Sequence, residues 1–224
     1  PKTRRDALGE EAKEIESTQI VSIRLRGGDD ASCNNLYQAD EPQVLGISER
    51  IKEIDRGPEG SSEFAWFQTK SNNAWESLEV EATGALEQPI PVVLDQNTAL
   101  WALHLGGYVG ERFKFEFDEK PVWFETVGVL QNTILQGSLI IGEKNFQRVF
   151  PSISGYRSFL VKAPKSADID AIRNIMEKGW QDPGLSLVSS ASVLEQLLAV
   201  QNTYLSAFQL LGTLGLLLGT VGLG

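Results

Sequence analysis

The sequence YRSFLVKAPKSADIDAIRNIMEKGWQDPGLSLV, Tyr156 to Val188, contains a strand pattern, a helix pattern and a second strand pattern in succession. Tyr156–Lys162 alternates between apolar and polar residues, which predicts a strand. Ala167–Lys178 repeats apolar residues at helical spacing, and Leu185–Val188 is a short apolar run typical of a strand. Together they predict a compact βαβ unit. The apolar face of the helix consists of Ile169, Ile172, Ile175 and Met176.

An N-terminal segment is predicted to join the same sheet. Thr18–Leu25 (TQIVSIRL) alternates like a strand with one covered face, and the Arg-Gly-Gly-Asp-Asp run at Arg26–Asp30 predicts a turn after it. Because the two ends of the chain supply one α/β layer, the middle of the chain is predicted to be inserted into it. The expected division is one part built from the two ends of the chain, residues 1–45 plus 151–200, and an inserted part, residues 46–150.

The inserted part is rich in strand patterns. Phe113, Phe115 and Phe117 alternate with charged residues, and Val122–Leu130 (VWFETVGVL) is β-branched and aromatic. Start and stop signals also predict short helices at Ser48–Ile54, Thr98–Leu105 and Glu143–Val149. The overall prediction is an α+β fold.

Composition and charge exclude several classes of function. The chain has 224 residues, 42% of them hydrophobic, which is enough for a packed core. A net charge of −10, with 20 scattered Lys and Arg residues, argues against a nucleic-acid partner, because phosphate binding needs clustered cations. The single cysteine, Cys33, permits no internal disulfide.

The C-terminus predicts a membrane segment. No charged residue follows Glu195, and Tyr204–Gly224 reads YLSAFQLLGTLGLLLGTVGLG. About twenty apolar residues at ~1.5 Å each can cross a hydrocarbon core of ~30 Å. Residues 201–224 are therefore predicted to begin a transmembrane helix that the chain cuts short. The alternative is a hydrophobic C-terminal core helix.

The same helix is predicted to start before the membrane and to couple the two regions. Ser192 and Glu195 have the spacing of a capping box, and neither proline nor glycine interrupts the chain from there to Leu211. Glycines every three or four residues would let another helix approach one face closely. The predicted coupling residues are Ser192, Glu195, Tyr204, Phe208, Gly212, Gly215, Gly219 and Gly222.

Catalytic and metal-binding patterns are missing from the sequence. It has no phosphate-binding loop, and His104 is its only histidine, so multi-histidine zinc sites are excluded. Asp29 and Asp30 follow two glycines, where a turn favours aspartate; a cation site or a subunit contact is the alternative. Cys33 is interpreted as a small buried residue rather than a reactive thiol. The prediction is a protein that is not an enzyme and that uses no cofactor or metal.

Five stretches resemble one subgroup of FtsX-like permeases of ABC transporters that carry a MacB-like periplasmic core domain. The last of them joins the exit from the folded domain to a membrane helix. The stretches are Ser22–Gln38 (SIRLRGGDDASCNNLYQ), Pro91–Gly107 (PVVLDQNTALWALHLGG), Val127–Pro151 (VGVLQNTILQGSLIIGEKNFQRVFP), Gly155–Pro164 (GYRSFLVKAP) and Val200–Gly224 (VQNTYLSAFQLLGTLGLLLGTVGLG).

The resemblance implies a membrane-proximal Porter-like subdomain with an inserted Sabre-like subdomain. It implies a location in the bacterial inner membrane, with this domain in the periplasm or extracytoplasmic space between the first and second of four membrane helices. The implied partners are a cytoplasmic ABC ATPase subunit, separate or fused, which hydrolyses the ATP, a second permease subunit, identical or different, and periplasmic cargo or an adaptor.

Two functions follow from the resemblance as expectations. The first is mechanotransmission, in which ATP-driven movement of the stalk and membrane helices passes to a periplasmic substrate or partner. The alternative is a membrane-tethered binding module that recruits or regulates a cell-envelope hydrolase without transport.

Overall fold

The computed structural model describes residues 18–28, 41–164, 169–179 and 186–222 of the chain. In the C-terminal helix the backbone is described throughout, whereas side chains 197–198, 200–205 and those after 216 are not. The chain divides into two compact units, Pro1–Pro183 and Gly184–Gly224, and each is described by itself.

The first unit contains eight strands and four α-helices within the described residues. The strands are β1 (Gln19–Arg26), β2 (Gln43–Ile47), β3 (Trp66–Thr69), β4 (Ile90–Asp95), β5 (Arg112–Phe117), β6 (Lys120–Leu130), β7 (Ser138–Gly142) and β8 (Ser158–Lys162). The helices are α1 (Ile51–Asp55), α2 (Ala74–Ser77), α3 (Glu143–Val149) and α4 (Ile169–Gly179). The second unit contains helix α5 (Ser190–Gly222).

All eight strands form one mixed sheet. Its order is β3-β6-β4-β7-β2-β1-β8, and β5 also pairs with β6. Strands β2 and β7 are parallel, as are β4 and β6, whereas the other pairs are antiparallel. The sheet and its helices confirm the α+β class. The boundary predicted between residues 45 and 46 falls inside β2, and the division into Porter-like and Sabre-like subdomains stays a prediction.

The sheet is covered on both faces, because its central strands are apolar on both sides. Strands β4 (IPVVLD) and β7 (SLIIG) are buried along their whole length, as expected for strands between two layers. One hydrophobic cluster contains Val44 and Phe146, and the opposite cluster contains Leu45 and Trp75. The alternation of Val44 and Leu45 within β2 therefore supplies one residue to each core.

The predicted elements agree with the structure to different degrees. Helix α3 spans the predicted Glu143–Val149, and β6 contains the predicted Val122–Leu130. The predicted helix Thr98–Leu105 forms only a π-helical turn, Thr98–Ala102.

One strand of the predicted βαβ unit is absent from the described residues. Residues 186–188 of the predicted strand Leu185–Val188 lie outside any strand, and Leu185 itself is outside the described residues. Val188 is 60% exposed, so this run gains little of the burial that stabilises a strand. A run of four residues is too short for the sequence pattern to establish whether it forms a strand.

A partly buried ion-pair cluster supports β6. The Glu125 carboxylate on β6 pairs with Lys70 and, at 2.7 Å, with Nε of Arg112 on β5. Hydrogen bonds from these two cations, Lys70 first, hold the pKa of Glu125 below its usual value, and partial burial opposes them. The carboxylate is 12% exposed, so the pairing is shielded from solvent more than a surface pair is.

Replacing Glu125 with glutamine is expected to lower the free energy of unfolding by about 1–2 kcal/mol at neutral pH. A depressed pKa gives stability that is present above the unfolded pKa and is lost as the pH falls, so the penalty should shrink on acidification below about pH 4.5. Urea titrations across this pH range measure it. Glu116→Gln, an exposed change on β5, is the control. A penalty that stays constant with pH would contradict this assignment.

Candidate functional site

Helix α5 carries all of the predicted coupling residues. It begins at Ser190, and Ser189 caps it: the Val193 amide donates to the Ser189 carbonyl at 3.0 Å and the Ser192 amide to Ser189 Oγ at 3.5 Å. The predicted capping box at Ser192 and Glu195 is therefore wrong, because the helix starts earlier and Ser192 lies within its first turn.

The described part of α5 exposes apolar side chains. Leu210, Leu211, Leu214, Leu216 and Phe208 are between 53% and 72% exposed. A Cβ atom built on Gly212 or on Gly215 would meet no atom within 4 Å. Tyr204, Gly219 and Gly222 lie in the helical backbone, although their surroundings are outside the described residues.

The structure does not show the predicted membrane-spanning helix. Within residues 18–28, 41–164, 169–179 and 186–222, no helix is both long and apolar enough to cross a bilayer.

An aromatic loop, residues 96–111, follows β4 and carries the two most exposed aromatic side chains among the described residues of the first unit. Trp101 is 67% exposed and Tyr108 is 62% exposed. His104 has a φ of +51°, an uncommon conformation for a residue with a side chain. A π-helical turn, which often marks a functional position, lies near the start of the loop at Thr98–Ala102. The loop therefore presents two large aromatic side chains to solvent.

A buried carboxylate anchors the aromatic loop to the sheet. Asp95, only 2% exposed, accepts hydrogen bonds from the amides of Asn97 and Thr98 at 3.0 Å each, from the Thr98 hydroxyl, and from the Gly137 amide at 3.1 Å. Burial raises the pKa of Asp95, while these hydrogen bonds oppose the rise. Asp95 therefore ties the end of β4, the π-helical turn and the turn before β7 together.

The structure locates only some of the residues that the sequence raised as catalytic or metal-binding candidates. His104 lies exposed in the aromatic loop. No group of three or more His, Cys, Asp or Glu side chains in the described part of the chain could hold a metal ion. Asp29, Asp30 and Cys33 lie outside the described residues.

Two arginines on β1 form contacts that sequence reasoning missed. Arg24 Nε donates to Glu143 Oε1 at 2.8 Å, and its guanidinium lies 4.7 Å from the Tyr156 ring centroid. Arg26 lies over the rings of Phe117 and Phe150, at 4.6 and 5.4 Å from their centroids. Arg24 and Glu143 are 119 positions apart, so no local pattern could have paired them.

Comparison with known proteins gave matches among solved structures alone. No family model and no curated protein matches the chain. The periplasmic region of MacB from Actinobacillus actinomycetemcomitans is 13% identical, with a TM-score of 0.45, over 81% of this chain and 77% of that chain. The extracellular domain of the noncanonic ABC-type transporter YknZ from Gram-positive bacteria is 12% identical, with a TM-score of 0.40, over 79% of each chain. These neighbours are of the kind that the sequence resemblance predicts. With identities of 12–13% and TM-scores of 0.40–0.45, they do not show the function of this chain.

Proposed function

We propose that this chain is the extracytoplasmic domain of an ABC-transporter permease and that α5 transmits ATP-driven movement between the membrane and the domain. Residues 201–224 enter the bilayer in this proposal, and a cytoplasmic ATPase and a second permease subunit complete the transporter. The domain then lies outside the cytoplasm and acts on periplasmic cargo or an adaptor.

The observation that carries the proposal is the continuity of α5. Its backbone is helical from Ser190 to Gly222, and no charged residue follows Glu195. A continuous α-helix transmits force along its axis because each turn is hydrogen-bonded to the next. The exposed leucines of the described portion favour an apolar surrounding, since apolar surface is costly in water. Open space beside Gly212 and Gly215 favours close packing of another membrane helix.

The test is a kink in α5 of the full-length protein in membranes with its ATPase. Ala199→Pro removes a helical hydrogen bond and introduces a clash in the helix interior. A spin label at Ser61, in a Cys33→Ser background, reports the position of the domain. We expect ATP to change the label's distance distribution across the dimer in the parent protein, and the Ala199→Pro change to remove that response while ATP hydrolysis continues.

The matched control is Ser190→Pro, because the first turn of a helix tolerates proline. This variant should keep the nucleotide response. If Ala199→Pro responds to ATP as the parent does, α5 does not transmit the movement and the proposal fails.

A second candidate function is the membrane-tethered binding module, in which the domain recruits or regulates a cell-envelope hydrolase. The exposure of Trp101 and Tyr108 on one loop favours it, because exposed aromatic residues are enriched where proteins bind. A photocrosslinking residue at Trp101 should then capture a hydrolase in intact cells, and capture should not depend on ATP turnover. Capture that occurs only during ATP turnover would favour the first function.

A further inference from the structure

The sequence Gln-Asn-Thr follows two neighbouring strands of the sheet. It comes after β4 as residues 96–98 and after β6 as residues 131–133. Strands β4 and β6 pair in parallel, with Asp95 opposite Leu130, so both copies begin from adjacent positions at the same edge of the sheet. We call these two copies the paired motifs. A third copy, residues 201–203, lies within helix α5 of the second unit rather than after a strand.

The chain leaves these two strand ends toward opposite faces of the sheet. After β4, Ala99 enters the cluster that contains Phe146, whereas after β6, Leu135 enters the opposite cluster. The two loops stay joined at their base, where the Gly137 amide donates to Asp95 Oδ2 at 3.1 Å. In open α/β sheets, ligands bind outside the carboxyl ends of the strands, at the point where the connections diverge. The paired motifs therefore lie where such a sheet favours a ligand.

The paired motifs carry four side-chain amides. Those of Gln96, Asn97 and Gln131 are half-buried, and that of Asn132 is exposed. Within the described part of the chain, none of the four donates or accepts a side-chain hydrogen bond. Turn geometry explains Asn132, whose φ is +49°, because asparagine tolerates that conformation, but turns do not favour glutamine. The amides therefore keep their donors and their acceptors for a ligand.

The loops that contain the paired motifs are uncharged. Residues 96–110 and 131–142 include no Asp, Glu, Lys or Arg, although the chain has 30 acidic and 20 basic residues. Asp95 at their base is buried, and its oxygens already accept four hydrogen bonds. Glu111 and Glu63, which flank this region in sequence, are each bound by a neighbouring donor, at 3.0 and 3.1 Å. Because an ionic ligand would find no free opposite charge in these loops, they favour a neutral one.

Trp101 adds an aromatic ring beside the first motif. It lies in the π-helical turn Thr98–Ala102, four positions after Asn97. Because π-helical hydrogen bonds join residue i to i+5, residues four apart lie about one turn apart on the same side. The Trp101 side chain is exposed. Amides that bond hydroxyl groups, next to a ring that can cover an apolar C–H face, match the two kinds of surface that a sugar presents.

An extended peptide is the other neutral ligand that amides can bind. Peptides of this kind gain affinity by pairing with a free strand edge. Strand β4 pairs on both sides, with β6 and β7, and the carboxyl end of β6 pairs with β4 and β3. A peptide strand therefore has no free edge to join at either motif. A saccharide needs none, because each of its hydroxyl groups can donate to and accept from a side-chain amide.

We propose that the paired motifs and Trp101 bind an uncharged saccharide. The amides of Gln96, Asn97 and Gln131 bond its hydroxyl groups, and the Trp101 ring lies against the C–H face of one sugar ring. The proposal rests on the first unit alone. It does not depend on the proposed role of α5, so either can fail without the other.

The experiment titrates the whole chain, in a buffer free of sugar-based detergent, with maltotriose, cellotriose and N,N′,N″-triacetylchitotriose. Trigalacturonate tests the effect of charge, and N-acetyl-trialanine amide tests a neutral peptide of similar size. NMR signals of the side-chain NH₂ groups and of the Trp101 indole N–H report binding. We expect at least one neutral trisaccharide to shift the signals of Gln96, Gln131 and Trp101. Its affinity should exceed those of trigalacturonate and the peptide by about tenfold.

Substitutions separate the paired motifs from the rest of the surface. Trp101→Ala should weaken binding of that trisaccharide about tenfold, because the aromatic contact is lost. Gln131→Ala should weaken it about fivefold, the loss expected for one hydrogen bond. The matched controls are Phe159→Ala, an exposed aromatic residue on β8, and Gln88→Ala, an exposed glutamine, and both should bind as the parent does. Urea midpoints check that each variant remains folded.

Several results would overturn the inference. The absence of shifts with all three neutral trisaccharides at about 10 mM would exclude the site. An equal or higher affinity for trigalacturonate or for the peptide would assign the loops to another class of ligand. Equal effects of Trp101→Ala and Phe159→Ala, or of Gln131→Ala and Gln88→Ala, would show that binding does not take place at the paired motifs.

Discussion

Replacing Gly142 with alanine is expected to lower the free energy of unfolding by about 3 kcal/mol. A Cβ atom at this position would lie 2.1 Å from the Leu78 carbonyl oxygen, far inside contact distance. The obstacle is backbone rather than the end of a flexible side chain, so it can move only by shifting the segment after α2. Urea denaturation of the purified protein measures the change.

Gly27→Ala is the matched control, because no atom lies within 4 Å of the position of its Cβ. Its stability should stay close to that of the parent, or rise slightly through loss of conformational freedom in the unfolded chain. Similar losses of stability for both variants would contradict this prediction. They would show that the loss at Gly142 does not come from the contact of its Cβ atom with Leu78 at the end of β7.

Replacing Asp95 with alanine is expected to cost about 3 kcal/mol, because the substitution leaves buried donors without an acceptor. The Gly137 amide would keep its 2.8 Å bond to Thr98 Oγ1, whereas the Thr98 amide would lose its partner. The aromatic loop should also become less protected. Hydrogen exchange at residues 98–102, together with urea denaturation, measures both effects, and unchanged exchange there would contradict the anchoring role.

Asp95→Asn tests the charge separately from the hydrogen bonds. Burial raises the folded pKa of Asp95 above the ordinary value of 3.8, so its protonated form is favoured more strongly in the folded state than in the unfolded one. The stability of the parent relative to Asp95→Asn should therefore be highest below about pH 3.8 and should fall as the pH rises through the folded pKa. A relative stability that increases with pH in this range would contradict the assignment.

Local sequence patterns correctly predicted the elements whose signals lie within their own segments. Helix α3 matched its predicted bounds because its start and stop signals are local, and β6 matched because its β-branched and aromatic run is long. Failures occurred where the signal was short: Leu185–Val188 has no strand in its described residues, and the helix predicted from Thr98 is a π-helical turn fixed by Asp95 and Gly137.

The amino-acid sequence by itself determined the uncharged, apolar character of α5 after Glu195 and the negative charge of the chain, because both are properties of composition along the chain. Only the tertiary structure decided which distant segments meet. Examples are the parallel pairing of β2 with β7 and the contact between Arg24 and Glu143, which are 119 positions apart. Pairing between distant segments is selected by the packing of the whole sheet, and no periodicity within one segment encodes it.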